Sequence, residues 1–157
     1  METGFFSFLI KYDSLWRFFH IAGVIIALGS VVMADLVLVW LKFKPKEANL
    51  VAKITPMLSL QVWLGLIIIS ISGLFMFLPN PGIAGSSIFQ FKMFLVLIVF
   101  LNGILLNVWI TPKFEKLVPE WSQNTLKVKS FTKIAGIATA VSFFSWWGII
   151  VLMELFY

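Results

Sequence analysis

A few polar side chains interrupt the long apolar stretches of this sequence, and they are its candidates for chemistry. An ionisable group inside a bilayer is costly, so such groups commonly face the protein interior and serve a function. Imidazole is the commonest metal ligand among side chains, whereas a carboxylate or a carboxamide can form a polar site for a proton or a solute. The candidates are His20, Asp35, Gln61, Lys92, Asn102, Asn107 and Glu154.

Each of these candidates also has a purely structural interpretation. A histidine near a helix end often makes an interhelical hydrogen bond, and Lys92 can extend its ammonium group to the lipid headgroups. Asp35 can pair with Lys42 or Lys53 near the inner membrane surface, and Glu154 lies near the end of the fourth span, three residues before Tyr157, where it is solvated. The three carboxamides can serve only to hold helices together. The structural and functional interpretations both stay open at this point.

The composition identifies the surroundings of these residues. The 157 residues are 61% hydrophobic and 12% charged, which leaves too little polar surface for a water-soluble domain. Several apolar stretches approach or exceed the roughly 20 residues that cross a bilayer. We therefore expect an all-α integral membrane protein, a single domain built as a four-transmembrane-helix antiparallel up-and-down bundle. The expected spans are residues 14–41, 56–78, 88–110 and 131–156.

Helix start and stop signals define these spans. Asp13 and Ser14 offer a cap for the first span, and Pro56 is a favourable first-turn residue for the second. Proline and glycine after residue 78 and Pro112 predict the ends of the second and third spans. Residues 1–12 are apolar but short, so we expect a short N-terminal interfacial segment. The first ten residues carry no basic side chain, unlike a signal peptide.

The distribution of lysine predicts the orientation. Cytoplasmic loops retain basic residues, and the second loop, residues 79–90, contains none. Both termini are therefore expected outside, in a bacterial cytoplasmic (inner) membrane, and the net charge of +5 needs no nucleic acid to explain it. The expected partners are the lipid bilayer and a second copy of the chain in a homo-oligomer. The lysines of the first and third loops are Lys42, Lys44, Lys46, Lys53, Lys113, Lys116, Lys127, Lys129 and Lys133.

This topology sorts the polar candidates into two layers. The fifteen-residue steps from His20 to Asp35 and from Lys92 to Asn107 each correspond to roughly 22 Å of helix and leave the side chains only about 60° apart. Each pair can thus line one interior seam. The outer layer comprises His20, Lys92 and Glu154, and the inner layer comprises Asp35, Gln61 and Asn107.

Three segments resemble a known family in the same order. Residues 15–24 (LWRFFHIAGV), residues 54–58 (ITPML) and residues 89–97 (FQFKMFLVL) are similar to the first three spans of HemJ-type protoporphyrinogen oxidases and of the wider CopD-like set of small membrane proteins. The resemblance covers roughly residues 15–117 and consists of single residues within apolar sequence. It implies a four-helix membrane fold and binding of haem b.

The resemblance also implies roles for particular residues. His20 matches the essential histidine of the family and would be the axial ligand, and Lys92 matches its essential lysine. The second axial position would be taken by Lys92, Met93 or water, or His20 would be shared across a dimer. The chain departs from the family at Asn102, where a further histidine is usual, and at residues 33–35, where a basic residue is usual. These departures weaken the expectation of oxidase activity more than the expectation of the fold.

Three functions follow from these expectations. The first is a membrane b-haem redox protein, a possible oxidoreductase with a porphyrin or redox partner, in which His20 and Lys92 are the catalytic pair and Phe18, Phe19, Phe91 and Trp147 wall the cleft. The second is a non-enzymatic transporter or channel component with a polar site at Asp35, Gln61 and Asn107. The third is a structural subunit of a larger membrane complex. The chain has no cysteine, which excludes thiol catalysis and thiolate metal sites.

Overall fold

The computed structural model describes residues 2–123 and 125–155, and the side chains of residues 2, 3 and 153–155 lie outside that description. Every regular element in the described ranges is helical. The α-helices are α1 (Glu2–Lys11), α2 (Asp13–Phe43), α3 (Ala48–Phe77), α4 (Ser87–Leu105), α5 (Thr111–Leu117) and α6 (Leu126–Leu155). A turn at Tyr12 joins α1 to α2, and a π-helical segment, Leu106–Ile110, joins α4 to α5. Short 3₁₀ segments occupy the other three connections, Pro45–Glu47, Pro81–Gly85 and Val118–Gln123.

Four helical stretches are long and apolar enough to cross a membrane. They are Asp13–Phe43, Pro45–Phe77, Ser87–Gln123 and Leu126–Leu152. Their outward surface is apolar as well, as Phe18 at 64%, Val108 at 72% and Phe144 at 73% exposure illustrate. An exposed apolar surface of this extent is typical of a protein that meets lipid rather than water.

The second stretch begins earlier than the sequence signals predict. Pro56 lies inside α3 instead of in its first turn. Residues before the proline are held by packing, since Ala48 and Val51 are buried in one cluster with Leu41. Tertiary burial of this kind outweighs the local cost of a helix-interior proline. The hydroxyl of Thr55, the residue before Pro56, donates to the Val51 carbonyl oxygen at 2.8 Å.

The other helix boundaries also differ from those that the sequence signals predict. The helical path continues beyond Pro112, which sits in the first turn of α5, directly after the π-helical segment. The helix α6 begins at Leu126, five residues before the expected start, and residue 156 of the expected span lies outside the described residues. No side chain caps α2; Asp13 is its first residue and accepts a hydrogen bond from Arg17 at 2.7 Å. The helix α1 occupies most of the expected N-terminal segment.

Two small-residue positions bring α2 and α3 into close contact. A Cβ on Gly65 would lie 2.7 Å from both the Cβ and the backbone nitrogen of Ala27, and 2.7 Å from the Gly23 carbonyl oxygen. A Cβ on Gly23 would lie 3.0 Å from the Gly65 carbonyl oxygen. Small residues allow this backbone approach in membrane helices. Gly29 does not contribute, because a Cβ there would meet open space.

Two buried clusters show which parts of the helices lie together. The first joins the end of α2 and the start of α3 to the third stretch around Phe114 and to the first turns of α6 around Phe131. The second joins the middle of α2 and α3 to Val99 of α4 and to Trp146 of α6. Each cluster therefore contains residues from all four long stretches.

Substitution of Gly65 by alanine tests the α2–α3 contact. We expect Gly65→Ala to lower the stability by about 1–3 kcal/mol, because a methyl group has no space against Ala27. Gly29→Ala, in open space on α2, is the matched control and should raise the stability by roughly 0.5–1 kcal/mol. Thermal unfolding in detergent, followed by circular dichroism, measures both. Equal unfolding temperatures for the two variants would contradict the proposed contact.

Candidate functional site

A cavity of about 110 Å³ lies between the four long stretches, in the half of the molecule that contains Asp35. Its wall is mainly apolar and carries a small number of polar groups, a composition typical of small-ligand pockets. Asp35 comes from α2, Ser59 from α3, Asn107 from the π-helical segment and Thr139 from α6. The remaining polar wall residues are Thr55, Thr111, Ser142 and Trp146.

Asp35 is the ionisable side chain of this cavity. It is half-buried, and no Lys, Arg, His or Glu occurs with it among the described residues of the wall. The Thr139 hydroxyl of α6 interacts with its carboxyl group. The alternative pairing with a lysine is not observed, since the ion pair recorded among the described residues joins Arg17 to Asp13. The carboxyl group therefore faces hydroxyl groups and free volume.

Asn107 contributes a second polar group to the cavity, from the third long stretch. The Ser59 hydroxyl donates to its side-chain oxygen, and its side-chain nitrogen donates to the Gly103 carbonyl at 3.2 Å. Asn107 lies in the π-helical segment, and such bulges frequently occur at functional sites because they disturb the regular backbone bonding. The bulge thus places a carboxamide against α3 in the cavity wall.

Trp146 lines the same cavity. The residue is 3% exposed, and its indole N–H has no hydrogen-bond partner among the described residues. An unpaired buried polar group is costly. The cavity volume exceeds the roughly 10–15 Å³ that one water needs, so the cavity can hold a water or a small polar solute.

The other expected carboxamides serve the structural role. Gln61 is not among the residues that line the cavity, and its side-chain oxygen accepts a hydrogen bond from Ser30 of α2 at 3.1 Å. Asn102 is 7% exposed and donates to the Ala138 carbonyl of α6 at 2.9 Å. Both join neighbouring helices, which is the usual work of such side chains in membranes. The structure therefore brings Asp35 and Asn107 to one cavity and leaves Gln61 beside it.

His20 lies in the other half of the molecule, against α3. Its Nδ1 is 3.2 Å from the Ile69 carbonyl oxygen and 3.2 Å from the Ser72 hydroxyl oxygen. A carbonyl only accepts, so the tautomer that makes the first bond carries its proton on Nδ1 and leaves a lone pair on Nε2. This orientation by a backbone carbonyl is the usual support of a metal-binding histidine. Gly73 provides the space, since a Cβ there would lie 3.3 Å from His20 Cε1.

The surroundings of His20 give mixed support for a haem pocket. Lys92 is half-buried and close enough to His20 for their charges to interact. Met93 is 48% exposed, and the four aromatic residues expected to wall a cleft are 42–64% exposed, so they do not enclose the imidazole. No three His, Cys, Asp or Glu side chains of the described residues form a group that could hold a metal ion. The side chain of Glu154 lies outside the described residues.

Several wall residues of the cavity carry no strong signal in the sequence. Ser59, Thr139 and Ser142 are small hydroxyl residues, which commonly bond to their own helix backbone, so their presence in a span predicts little. Helical register offers one retrospective signal. Thr139 and Ser142 are three residues apart and therefore share a face of α6 with Trp146.

Comparison of the chain with protein-family models, with curated proteins and with solved structures found no match. The function is therefore argued from the site itself.

Proposed function

We propose that this protein is a four-span integral membrane protein that binds and transfers a proton or a small polar solute at the Asp35 cavity. The observation that carries the proposal is the convergence of all four long stretches on one cavity that is lined by the interior carboxyl group of Asp35 and the carboxamide of Asn107. Intramembrane acids commonly mark the paths of ions and protons.

Membrane insertion is supported by the length and surface of the helices. Each long stretch exceeds the roughly 20 residues that span a bilayer, and large apolar side chains cover their outward faces. The shared clusters of helix ends and helix middles support an antiparallel up-and-down bundle. The lysine-free second loop supports a topology with both termini outside the bacterial cytoplasmic membrane.

The cavity lies where two helix pairs meet. The α2–α3 pair is held by the Gly23–Gly65 contact and by the Ser30–Gln61 hydrogen bond. The α4–α6 pair is held by the Asn102–Ala138 hydrogen bond, and Gly148 of α6 approaches Leu95 of α4. Sites at the interface of two helical units are a recurring arrangement in transporters, where one unit moves against the other.

Among the described residues, polar contacts in the cavity wall bridge the two helix pairs. One joins Asp35 to Thr139, and another joins Ser59 to Asn107. Interhelical hydrogen bonds in membranes contribute only about 0.6 kcal/mol on average. A solute or a proton that competes for these groups therefore displaces contacts of small free energy. Such weak contacts allow both binding and release at the site.

A second candidate function is haem binding at His20, the function that the family resemblance implies. The observation in its favour is the Nδ1 contact with the Ile69 carbonyl, which leaves Nε2 available as an axial ligand. Lys92, within electrostatic range, would pair with a propionate or take the second axial position. Haem bound there would supply one-electron chemistry, while the chain would hold and orient it.

The first prediction of this subsection concerns topology. The chain has no cysteine, so Lys44→Cys and Ser86→Cys each introduce a single thiol, in the first and second loops. A membrane-impermeant maleimide added to intact cells should label Ser86→Cys, and Lys44→Cys only after permeabilisation. The reverse pattern would overturn the orientation, and labelling of both in intact cells would argue against a spanning fold.

The second prediction concerns the cavity. Asp35→Asn keeps the size of the side chain but removes its titration, so it should lower proton flux into liposomes by about 100-fold. A pH-sensitive dye trapped inside the liposomes, with a potassium diffusion potential as the driving force, measures the flux. Glu47→Gln, an exposed acid before α3, is the matched control and should keep the flux of the unmodified chain.

The outcome of this measurement also separates the candidate functions. Equal flux for Asp35→Asn and the unmodified chain would remove the proton role of the carboxyl group. A chain without flux and without pigment that copurifies with other membrane proteins would favour the structural-subunit role instead.

The third prediction concerns His20. Chain purified after expression with ample haem should show a Soret band if His20 is an axial ligand, and His20→Gly should lose it. Ser72→Ala is the matched control, because the Ile69 carbonyl still orients the ring, so it should keep the band. Added imidazole should restore the band to His20→Gly. An unchanged band in His20→Gly, or no band in the unmodified chain, would contradict haem binding at this residue.

A further inference from the structure

An apolar groove of about 390 Å³ runs between α4 and α6, separate from the Asp35 cavity. Its floor is formed by Asn102 and Ala138, which are 7% and 5% exposed. Its walls include Leu101 at 56% and Ile137 at 57% exposure. The small side chain of Ala138 leaves the depression between the walls. The groove is therefore open to whatever surrounds the helices.

The direction of the groove follows from helix pairing. The hydrogen bond from Asn102 to the Ala138 carbonyl sets α4 against α6 at its middle. Ile134 and Leu105 line one end, and Val141 and Ile98 line the other. The end at Ile134 is the one nearer the start of α6, where the lysines of the third loop are found.

Two of these lysines lie in register with the groove wall. Lys129, Lys133, Ile137 and Val141 are each four residues apart, so they form one row along the same face of α6. Lys133 to Val141 corresponds to about 12 Å of helix. Both lysines are exposed, and neither forms an ion pair with an acid among the described residues. The row thus passes from unpaired positive charge directly into apolar wall.

We propose that this groove is a binding site for one anionic phospholipid, with an acyl chain between α4 and α6 and the phosphate at Lys129 and Lys133. The charge complementarity identifies the occupant, since basic residues beside a groove between membrane helices bind acidic headgroups on the cytoplasmic side. A soluble phosphate would not use the apolar groove, and a zwitterionic lipid would gain less from the two ammonium groups. The proposal needs membrane insertion but not the Asp35 or His20 function.

Lipid retention in native mass spectrometry tests the site. The detergent-purified chain is incubated with phosphatidylglycerol or with phosphatidylcholine of the same acyl chains. The unmodified chain should retain phosphatidylglycerol preferentially, and the double variant Lys129→Ala/Lys133→Ala should weaken that binding by about tenfold. The matched control, Lys42→Ala/Lys44→Ala, removes two exposed lysines at the end of α2 and should retain the lipid as the unmodified chain does.

A groove variant separates the apolar part of the site from its charge. Ile137→Trp fills the groove from an exposed position, so it leaves the core intact and should weaken retention of both lipids. Glycerol 3-phosphate, which has the phosphate without the acyl chain, should not compete. The proposal would be overturned if the two lysine double variants lost phosphatidylglycerol equally, or if the unmodified chain retained the two lipids equally. Unchanged lipid retention by Ile137→Trp would overturn it as well.

Discussion

The close approach of α2 and α3 at Gly23 and Gly65 is the constraint on which the other contacts between these two helices depend. Helices in lipid gain little from apolar contact, because lipid is as apolar as their side chains, so packing and interhelical hydrogen bonds must hold them together. Backbones that touch at Gly65 bring Ser72 within 3.2 Å of His20 toward one end. The same contact brings Gln61 within 3.1 Å of Ser30 toward the other. A bulkier residue at this crossing would separate both polar pairs at once.

The polar contacts of the molecule divide into two kinds with different consequences. Those within a helix pair, such as Asn102 with the Ala138 carbonyl, are buried and fix the register of two helices. Those between the pairs, at Asp35 and at Asn107, are half-buried and border free volume. A hydrogen bond between membrane helices is weak, and a bond that is fully buried is more costly to break than one that borders free volume. The proposed exchange of a small ligand at the boundary between the pairs rests on this difference.

The candidate site was partly predictable, and the reason differs from residue to residue. Asp35 stands out in any apolar span because its charge is expensive there, and Asn107 follows at matching depth from helical rise. Gln61 satisfies the same depth argument, yet its oxygen accepts from Ser30 beside the cavity, because depth does not determine the direction of a side chain. Thr139 and Trp146 carry no such signal. They belong to the site because α6 turns that face toward α2, which depends on packing between distant segments.

The sequence by itself determined an all-helical chain with four long apolar stretches and the position of each polar group along its stretch, since these follow from local hydrophobicity and a fixed rise per residue. Only the tertiary structure decided where α3 begins, because burial of Ala48 and Val51 against Leu41 outweighs the signal of Pro56. It alone decided which polar groups share a cavity, because that depends on how the two helix pairs face each other. Rotation of a helix about its axis leaves hydropathy unchanged but exchanges every contact that its side chains make.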